Sequence, residues 1–374
     1  MKISLSKPTI NKQDLKKVMQ SMYLGWLTHG PNNKKFEKEF SNRLNIKYAL
    51  SLNSCTSALE CSLKVLKKKG EVIIPSFTWV STANAVLNTG NVPVFADIEI
   101  NSRNITAEEI EKKISTKTVA VIVVHYSGLP CDMDSIVKVC KNNNLLLIED
   151  SAETLLATYK KKYTGSFGIG CFSFFPTKNI TTTEGGMITT NNKSYFNFFK
   201  SLIAHGISKK NKKYFWKREA ILPGHNYRLP NHLALLGYLQ LKRINTFLKR
   251  RRLVAKKYDS FFKKYQNFFA VQNIPKNCTH SYQMYTVILK NNFLRDNLIF
   301  FLNKKKVEAS AHFDPPLHKQ AYLNKFFTGK LKNTDYVSKR IVTLPMHSSL
   351  KLNEVDFVLK CILQWIKLNE KKIK

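Results

Sequence analysis

The 374-residue chain is short of acidic residues, with 25 Asp and Glu against 61 Lys and Arg and a formal charge of +36. So few acids suggest at first a nucleic-acid protein. The basic residues, however, are spread along the whole chain beside many Asn and Ile, and no DNA- or RNA-binding module accompanies them. In the densest run, LKRRRLVAKKYDSFFKKY from Leu248, basic and apolar residues alternate at helical spacing, so its lysines form a solvated face. A diffuse excess lacks the clustering that a nucleic-acid or membrane-surface protein needs. It still favours the approach of an anionic substrate.

Long apolar runs are missing too. The start, MKISLSKPTINKQDLKK, is polar throughout, and no stretch of about 18 uninterrupted apolar residues follows it. The expectation is a soluble cytoplasmic protein without membrane insertion. The seven cysteines contain no CxxC pair, and several sit in apolar segments as small hydrophobes, so neither disulfides nor structural zinc is indicated. His312 and His318 have no cysteine at ligand spacing and are separated by a prolyl loop, so no metal is expected. In GSFGIG, residues 165 to 170, the glycines are in the wrong order for a dinucleotide fingerprint and lead into a β-type run where a helix is required. That string reads as a turn. His125, at a strand end, reads equally well as a satisfied core residue or a ligand. Repeats and low-complexity linkers are absent.

Hydrophobic residues make up 43% of the chain and aromatics 11%, which suits a folded protein. At this length one large domain with a smaller companion is expected, divided softly into 1–240 and 241–374. From residue 47, short apolar runs alternate with amphipathic segments. YALSLN, EVIIP, VPVFAD, TVAVIVVHY and LLLIED read as strands; Thr56 through Lys68 and ITAEEIEKKI, with Thr106 as N-cap, read as helices. The pattern is that of a doubly wound, mostly parallel α/β sheet. A long basic helix from about Leu233 to Lys264 leads to a C-terminal portion of α+β character.

Ligands gather at the carboxyl ends of strands in such sheets, so Ser54 to Ser57, Ser76 to Trp79, His125 to Gly128 and Asp150 to Glu153 are the first candidates for chemistry. Asp150 ends LLLIED; alone it reads as the N-cap of a helix beginning SAETLL. Lys178 lies in a polar turn between two apolar runs; alone, in so lysine-rich a chain, it reads as a surface residue. Together they are what a pyridoxal cofactor needs on opposite sides. The carboxylate keeps the pyridine nitrogen protonated, the lysine binds the aldehyde and later shuttles a proton, and hydroxyls and N–H groups at the helix start in NSCTSAL can hold a phosphate.

The segments GWLTHGPNNKKFE, NSCTSAL, IIPSFTWVSTANAV, PVFADI, VHYSGLPCDMD, IEDSAE, CFSFFPTKNITTTEGGMITT, HNYRLPNHLALLGYLQLKRI, HSYQMYTV, SAHFDPPLH and IVTLPMHSSL resemble, in order and spacing, the motifs of the DegT/DnrJ family of nucleotide-sugar aminotransferases. The resemblance runs from about residue 3 to residue 368. It implies the type I aminotransferase fold, pyridoxal 5'-phosphate as cofactor, and transfer of an amino group from L-glutamate to a nucleotide-linked keto-deoxy-sugar for surface polysaccharide or glycan assembly. By the same resemblance Lys178 carries the cofactor, Asp150 pairs with its pyridine nitrogen, Glu153 lies near the ring hydroxyl, and Trp79 stacks on the ring. Cys55, Thr56 and Ser173 fall at phosphate contacts, His312 near the sugar, and Asn226 where an asparagine reaches the phosphate of the neighbouring subunit, which implies a homodimer with shared sites. Glu153 is a residue common in perosamine-type 4-aminotransferases.

Departures from the family pattern are Phe175 for a frequent His, and Thr183 and Leu156 for frequent Gly. The rival readings are a sugar 3-dehydratase of the same fold, which has a His where Lys178 stands, and a catalytically inactive regulatory or scaffold relative. A scaffold has no physical need for the Asp150, Trp79 and Lys178 set.

Overall fold

The computed structural model describes residues 2–208, 216–291 and 294–373. Seven strands form the central sheet: β1 (Tyr48–Leu52), β2 (Glu71–Pro75), β3 (Val92–Ala96), β4 (Thr118–Val124), β5 (Leu146–Asp150), β6 (Ile169–Ser173) and β7 (Gly186–Thr190). Their spatial order is β1-β7-β6-β5-β4-β2-β3. From β6 to β3 all neighbours are parallel, while β7 runs antiparallel to both β6 and β1. All seven residues of β4, TVAVIVV, are buried, and all but Thr118 are apolar, because helices cover a parallel sheet on both faces.

Register aligns the strand ends that matter. Val124 lies opposite Asp150, and Asp150 opposite Cys171. The carboxyl ends of β4, β5 and β6 therefore open at one level.

The helix after β1 spans Cys55–Leu63, shorter than the sequence suggests, with the Ser54 side chain capping the Ser57 N–H at 3.0 Å. Thr106 does cap its helix, accepting from Glu109 N at 3.3 Å. The expected long basic helix is two helices, Asn231–Lys242 and Ile244–Phe262, broken at Arg243, whose ψ of 6° leaves the helical range. No helix follows Asp150: residues 151–156 form turns, so the N-cap reading of that residue fails for want of a helix to cap.

A second, antiparallel sheet joins Phe269–Val271, Tyr285–Leu289 and Ile341–Leu344. Its core includes Val254 and Tyr258 of the second basic helix and Trp365 of the helix Leu352–Ile373. Ile3 belongs to this cluster and bridges Val307, so the N-terminal segment, grouped with the large domain in the sequence, begins against the C-terminal portion. Ile244, Phe247 and Leu248 pack with Phe36, Phe40 and Phe174 beside the central sheet while Val254, Ala255 and Tyr258 pack with the small sheet, so one helix crosses between the two cores. Polar clamps also join them: Arg103 donates to Thr286 Oγ1 at 2.8 Å, and Asp97 accepts from Thr334 N at 2.7 Å.

Candidate functional site

A cavity of about 420 Å³ opens over the carboxyl ends of β4, β5 and β6. It is lined by Cys55 and Thr56 at the start of their helix, Trp79, Asp150, Glu153, Ser173, Lys178 and His312. Of the residues that the family resemblance assigns to the site, only Asn226 lies outside the lining.

Asp150 is buried because β5 carries it into the sheet interior, at 5% exposure. Its Oδ2 accepts from Thr82 Oγ1 at 2.9 Å and its Oδ1 from Ala152 N at 3.1 Å. Burial pushes the acid upward, opposed by those two hydrogen bonds and by the charges of Lys178 and His125. Such a carboxylate favours a cation supplied from the cavity. Glu153 sits on the turn after β5, its Oε2 accepting from Ser127 N at 2.7 Å and its Oε1 3.9 Å from Lys178 Nζ. Burial raises this acid too, Lys178 and the Ser127 N–H oppose the rise, and Asp150 adds to it.

Lys178 stands in the turn between β6 and β7. The turn is stapled to the helix Asn231–Lys242 by Gln240, which accepts from Thr181 N at 3.1 Å and donates to Thr181 O at 2.6 Å. Trp79, 61% exposed, lines the cavity with Phe313 behind it at 6.2 Å between ring centres. Ser173 Oγ accepts from Phe175 N at 3.3 Å. His312 Nδ1 lies 2.9 Å from Thr343 Oγ1; burial, helped by the Lys178 charge, lowers its pKa to about 4, so the ring is neutral near neutral pH.

Asn226 is exposed, its Oδ1 accepting from Arg228 Nε at 3.0 Å. The flanking residues hold its segment on the helix Cys55–Leu63 and its C-cap: Tyr227 OH donates to Glu60 Oε2 at 2.6 Å, and Lys64 Nζ lies 2.8 Å from His225 Nε2.

The set-aside motifs have structural partners. His125 is fully buried, accepts from Cys131 N at 3.1 Å through Nδ1, and donates from Nε2 to Glu149 Oε2 at 3.1 Å. GSFGIG is the turn that wraps Glu149, its carboxylate accepting from Gly165 N at 2.7 Å, Phe167 N at 2.7 Å and Gly168 N at 2.9 Å. His318 Nδ1 lies 2.7 Å from Ser76 Oγ. At the frequent-glycine positions the backbone is left-handed, with φ of 57° at Leu156 and 65° at Thr183, a conformation strained for both residues.

The sequence reading missed Thr82, which touches the Asp150 carboxylate, and Gln283, Glu184, Thr343 and Leu5 on the wall. Thr82 had a signal: it follows Trp79 by three residues, one helical turn, in SFTWVSTANAV. Gln283 lay within the quoted motif HSYQMYTV, whereas Leu5 had no signal, since only the tertiary fold brings it there.

A buried carboxylate and a reachable lysine facing each other across a cavity, with a capped helix start beside them, fit a pyridoxal-phosphate site on a doubly wound sheet. The cavity volume, the Asp150 carboxylate with no cation directly paired to it and the exposed ring of Trp79 all accommodate the group. Comparison with known proteins agrees. Residues 8–363 match the model of the DegT/DnrJ/EryC1/StrS aminotransferase family, to which the chain therefore belongs. It is 34% identical to the spore coat polysaccharide biosynthesis protein SpsC of Bacillus subtilis, over 97% of this chain and 96% of the relative. It is 32% identical to GDP-perosamine synthase of Escherichia coli O157:H7, over 96% and 97%. A putative sugar aminotransferase of Streptococcus pneumoniae, Spr1654, superposes in its pyridoxal-phosphate form with a TM-score of 0.91 at 26% identity, covering 100% of both chains. It is also solved with the aminated cofactor, at a TM-score of 0.92. The chain is a pyridoxal-phosphate-dependent aminotransferase of sugar metabolism. No helix among the described residues is long and apolar enough to cross a membrane.

Proposed function

We propose that the protein takes an amino group from L-glutamate and delivers it to a nucleotide-linked keto-deoxy-sugar destined for surface polysaccharide or glycan, acting in the cytoplasm as a homodimer. The observation that carries the reading is the convergence of Asp150, Glu153 and Lys178 on one cavity at the strand ends. When bound, pyridoxal phosphate supplies an electron sink for the carbon that loses or gains a proton. Asp150 would keep a proton on the ring nitrogen, and Thr82 and the Ala152 N–H keep that carboxylate oriented. Lys178 holds the cofactor and then moves the proton at the substrate carbon, with Glu153 close enough to steady its ammonium form. Trp79 would pack on the ring, and Cys55, Thr56 and Ser173 would receive the phosphate at a helix start. His312, neutral and tethered by Thr343, offers its remaining ring nitrogen to the sugar. Asn226, which is exposed and outside the lining of its own cavity, completes the partner's phosphate site across a two-fold axis. The large and small domains divide near residue 240. GDP-perosamine synthase and SpsC among the relatives support a sugar nucleotide and a polysaccharide pathway.

The test is to incubate the pyridoxal-phosphate-loaded protein with L-glutamate and a panel of nucleotide-linked keto-sugars and to identify the aminated product by mass. One keto-sugar should gain the amine with release of 2-oxoglutarate. Absence of transfer across the panel, or transfer undiminished in Lys178→Ala, overturns the reading.

A further inference from the structure

Within the basic run of the second long helix, one cation is not on the solvated face. Arg251 is 2% exposed, and its guanidinium donates only to main-chain carbonyls: Tyr282 O at 2.8 Å, Gln283 O at 3.1 Å and Met346 O at 3.1 Å. Burial draws its pKa down to about 10, which leaves it charged at neutral pH. A buried cation without a carboxylate is costly and persists where its hydrogen bonds fix something. What it fixes is the segment HSYQMY, residues 280–285, and this segment in turn grips the lysine turn. Gln283 Nε2 donates to Thr177 O at 2.8 Å, and Asn179 Nδ2 donates to Ser281 O at 3.2 Å. The two residues flanking Lys178 are thereby fastened to the small domain, while Gln240 fastens Thr181 on the other side.

We propose that Gln283, held by Arg251, is the positioning residue for Lys178: it immobilises the main chain beneath the lysine, so that only the side chain moves between cofactor and substrate. Gln283 is 5% exposed and lines the cavity, and its Oε1 is buried without a hydrogen-bond partner, so its amide is oriented by Thr177 alone. Removing the Gln283 amide frees Thr177 O and lets the turn drift. Misplacement on the scale of an ångström costs such a group about tenfold or more in rate. This proposal rests on Lys178 being the cofactor lysine.

The experiment measures capture of pyridoxal phosphate by the cofactor-free protein, stopped with borohydride at intervals and read by peptide mapping at Lys178. Equilibrium affinity for the cofactor is measured separately in a Lys178→Ala background. Gln283→Leu should slow capture at Lys178 about tenfold or more, and in the Lys178→Ala background it should leave cofactor affinity within about twofold, because the ring and phosphate contacts are untouched. Arg251→Met should act in the same direction, and Arg251→Lys should restore most of the rate, since an ammonium can still donate to the three carbonyls. If Gln283→Leu does not fold, Gln283→Glu, which keeps the shape and cannot donate to Thr177 O, is read in its place. Capture at the wild-type rate in the folded variant overturns the proposal, as does an equal loss of cofactor affinity, which marks a collapsed site. Failure of the wild type itself to be trapped at Lys178 overturns the parent reading instead.

Discussion

The contact between Thr82 and Asp150 allows the state of the buried cavity carboxylate to be tested without cofactor. Thr82 is fully buried and donates at 2.9 Å to an acid that burial pushes upward. The perturbation is Thr82→Val, which keeps the shape and removes the hydroxyl. A hydrogen bond to a charged acceptor contributes about 1.5–3 kcal/mol, and one to a neutral acceptor about 0.5–1.5 kcal/mol. Thr82→Val should therefore cost more in the wild-type protein than in the Asp150→Asn background, with a coupling of about 1 kcal/mol or more in the double-mutant cycle at pH 8. The sign of the pH effect follows from the raised acid. Asp150's contribution to stability is fully present below its unfolded pKa and is lost as pH rises through the folded value. Asp150→Asn should thus be neutral or stabilising in the cofactor-free protein at pH 8, while it abolishes most transamination. Urea unfolding of the four variants, with midpoints read at constant slope, measures the coupling. Equal cost of Thr82→Val in both backgrounds, within about 0.5 kcal/mol, would show that Asp150 is protonated or that the contact does not form.

Three further outcomes follow from the same geometry. Thr183→Gly should raise the urea midpoint by about 0.5–1 kcal/mol of stability: left-handed backbone costs a residue with a Cβ about 1–2 kcal/mol, and the extra freedom of glycine returns part of that; a lower midpoint refutes strain at that turn. Because burial holds His312 at about 4 against an ordinary 6.5, its share of stability is present above 6.5 and lost as pH falls toward 4. His312→Gln should then unfold with one fewer proton taken up across that interval, and an unchanged pH dependence of the unfolding free energy counts against a buried neutral imidazole. Lys178→Ala and Asn226→Ala subunits, each inactive alone, should regain part of the activity when mixed under subunit exchange, since one hybrid site keeps both residues; no recovery in verified hybrids sinks the shared site.

The sheet was legible because parallel strands buried on both faces are near-continuous apolar runs, and VAVIVV and LLLI can be little else. Of the candidate site, the sequence singled out Asp150 and Lys178 by their complementary chemistry, and the structure places both on the wall of one cavity although they lie in separate strands and turns. The resemblance to a family supplied the rest of the first ring. What stayed hidden had no local signal. Helix ends were misplaced where helical character continues past a break, as at Arg243, which separates the mostly apolar NHLALLGYLQLK from the basic helix that follows it without an intervening Gly or Pro. Arg251 was hidden more deeply. In sequence it is one arginine in RRR, and only the crossing of its helix between two cores turns that position inward.

That crossing bears on how the Lys178 turn is built. The lysine turn departs from its family's usual glycine at Thr183 and accepts a left-handed threonine there, so its own backbone does not favour the shape it holds. Local strain persists only where surrounding contacts over-determine the conformation, and here they are identifiable. Gln240 clasps Thr181 from one helix, Gln283 clasps Thr177 from the small sheet, and the Thr181 hydroxyl accepts from Thr183 N at 2.9 Å and donates to Phe174 O at 2.8 Å. A turn held from outside in this way keeps the lysine backbone still whether or not the side chain is engaged, as the proposed role of Lys178 in holding and releasing the cofactor requires. The strain at Thr183 and the clasp at Gln283 are then two sides of one arrangement: relieving the first should stabilise the protein without moving Lys178, and removing the second should displace Lys178 at a cost of about 1–3 kcal/mol for the unpaired Thr177 carbonyl.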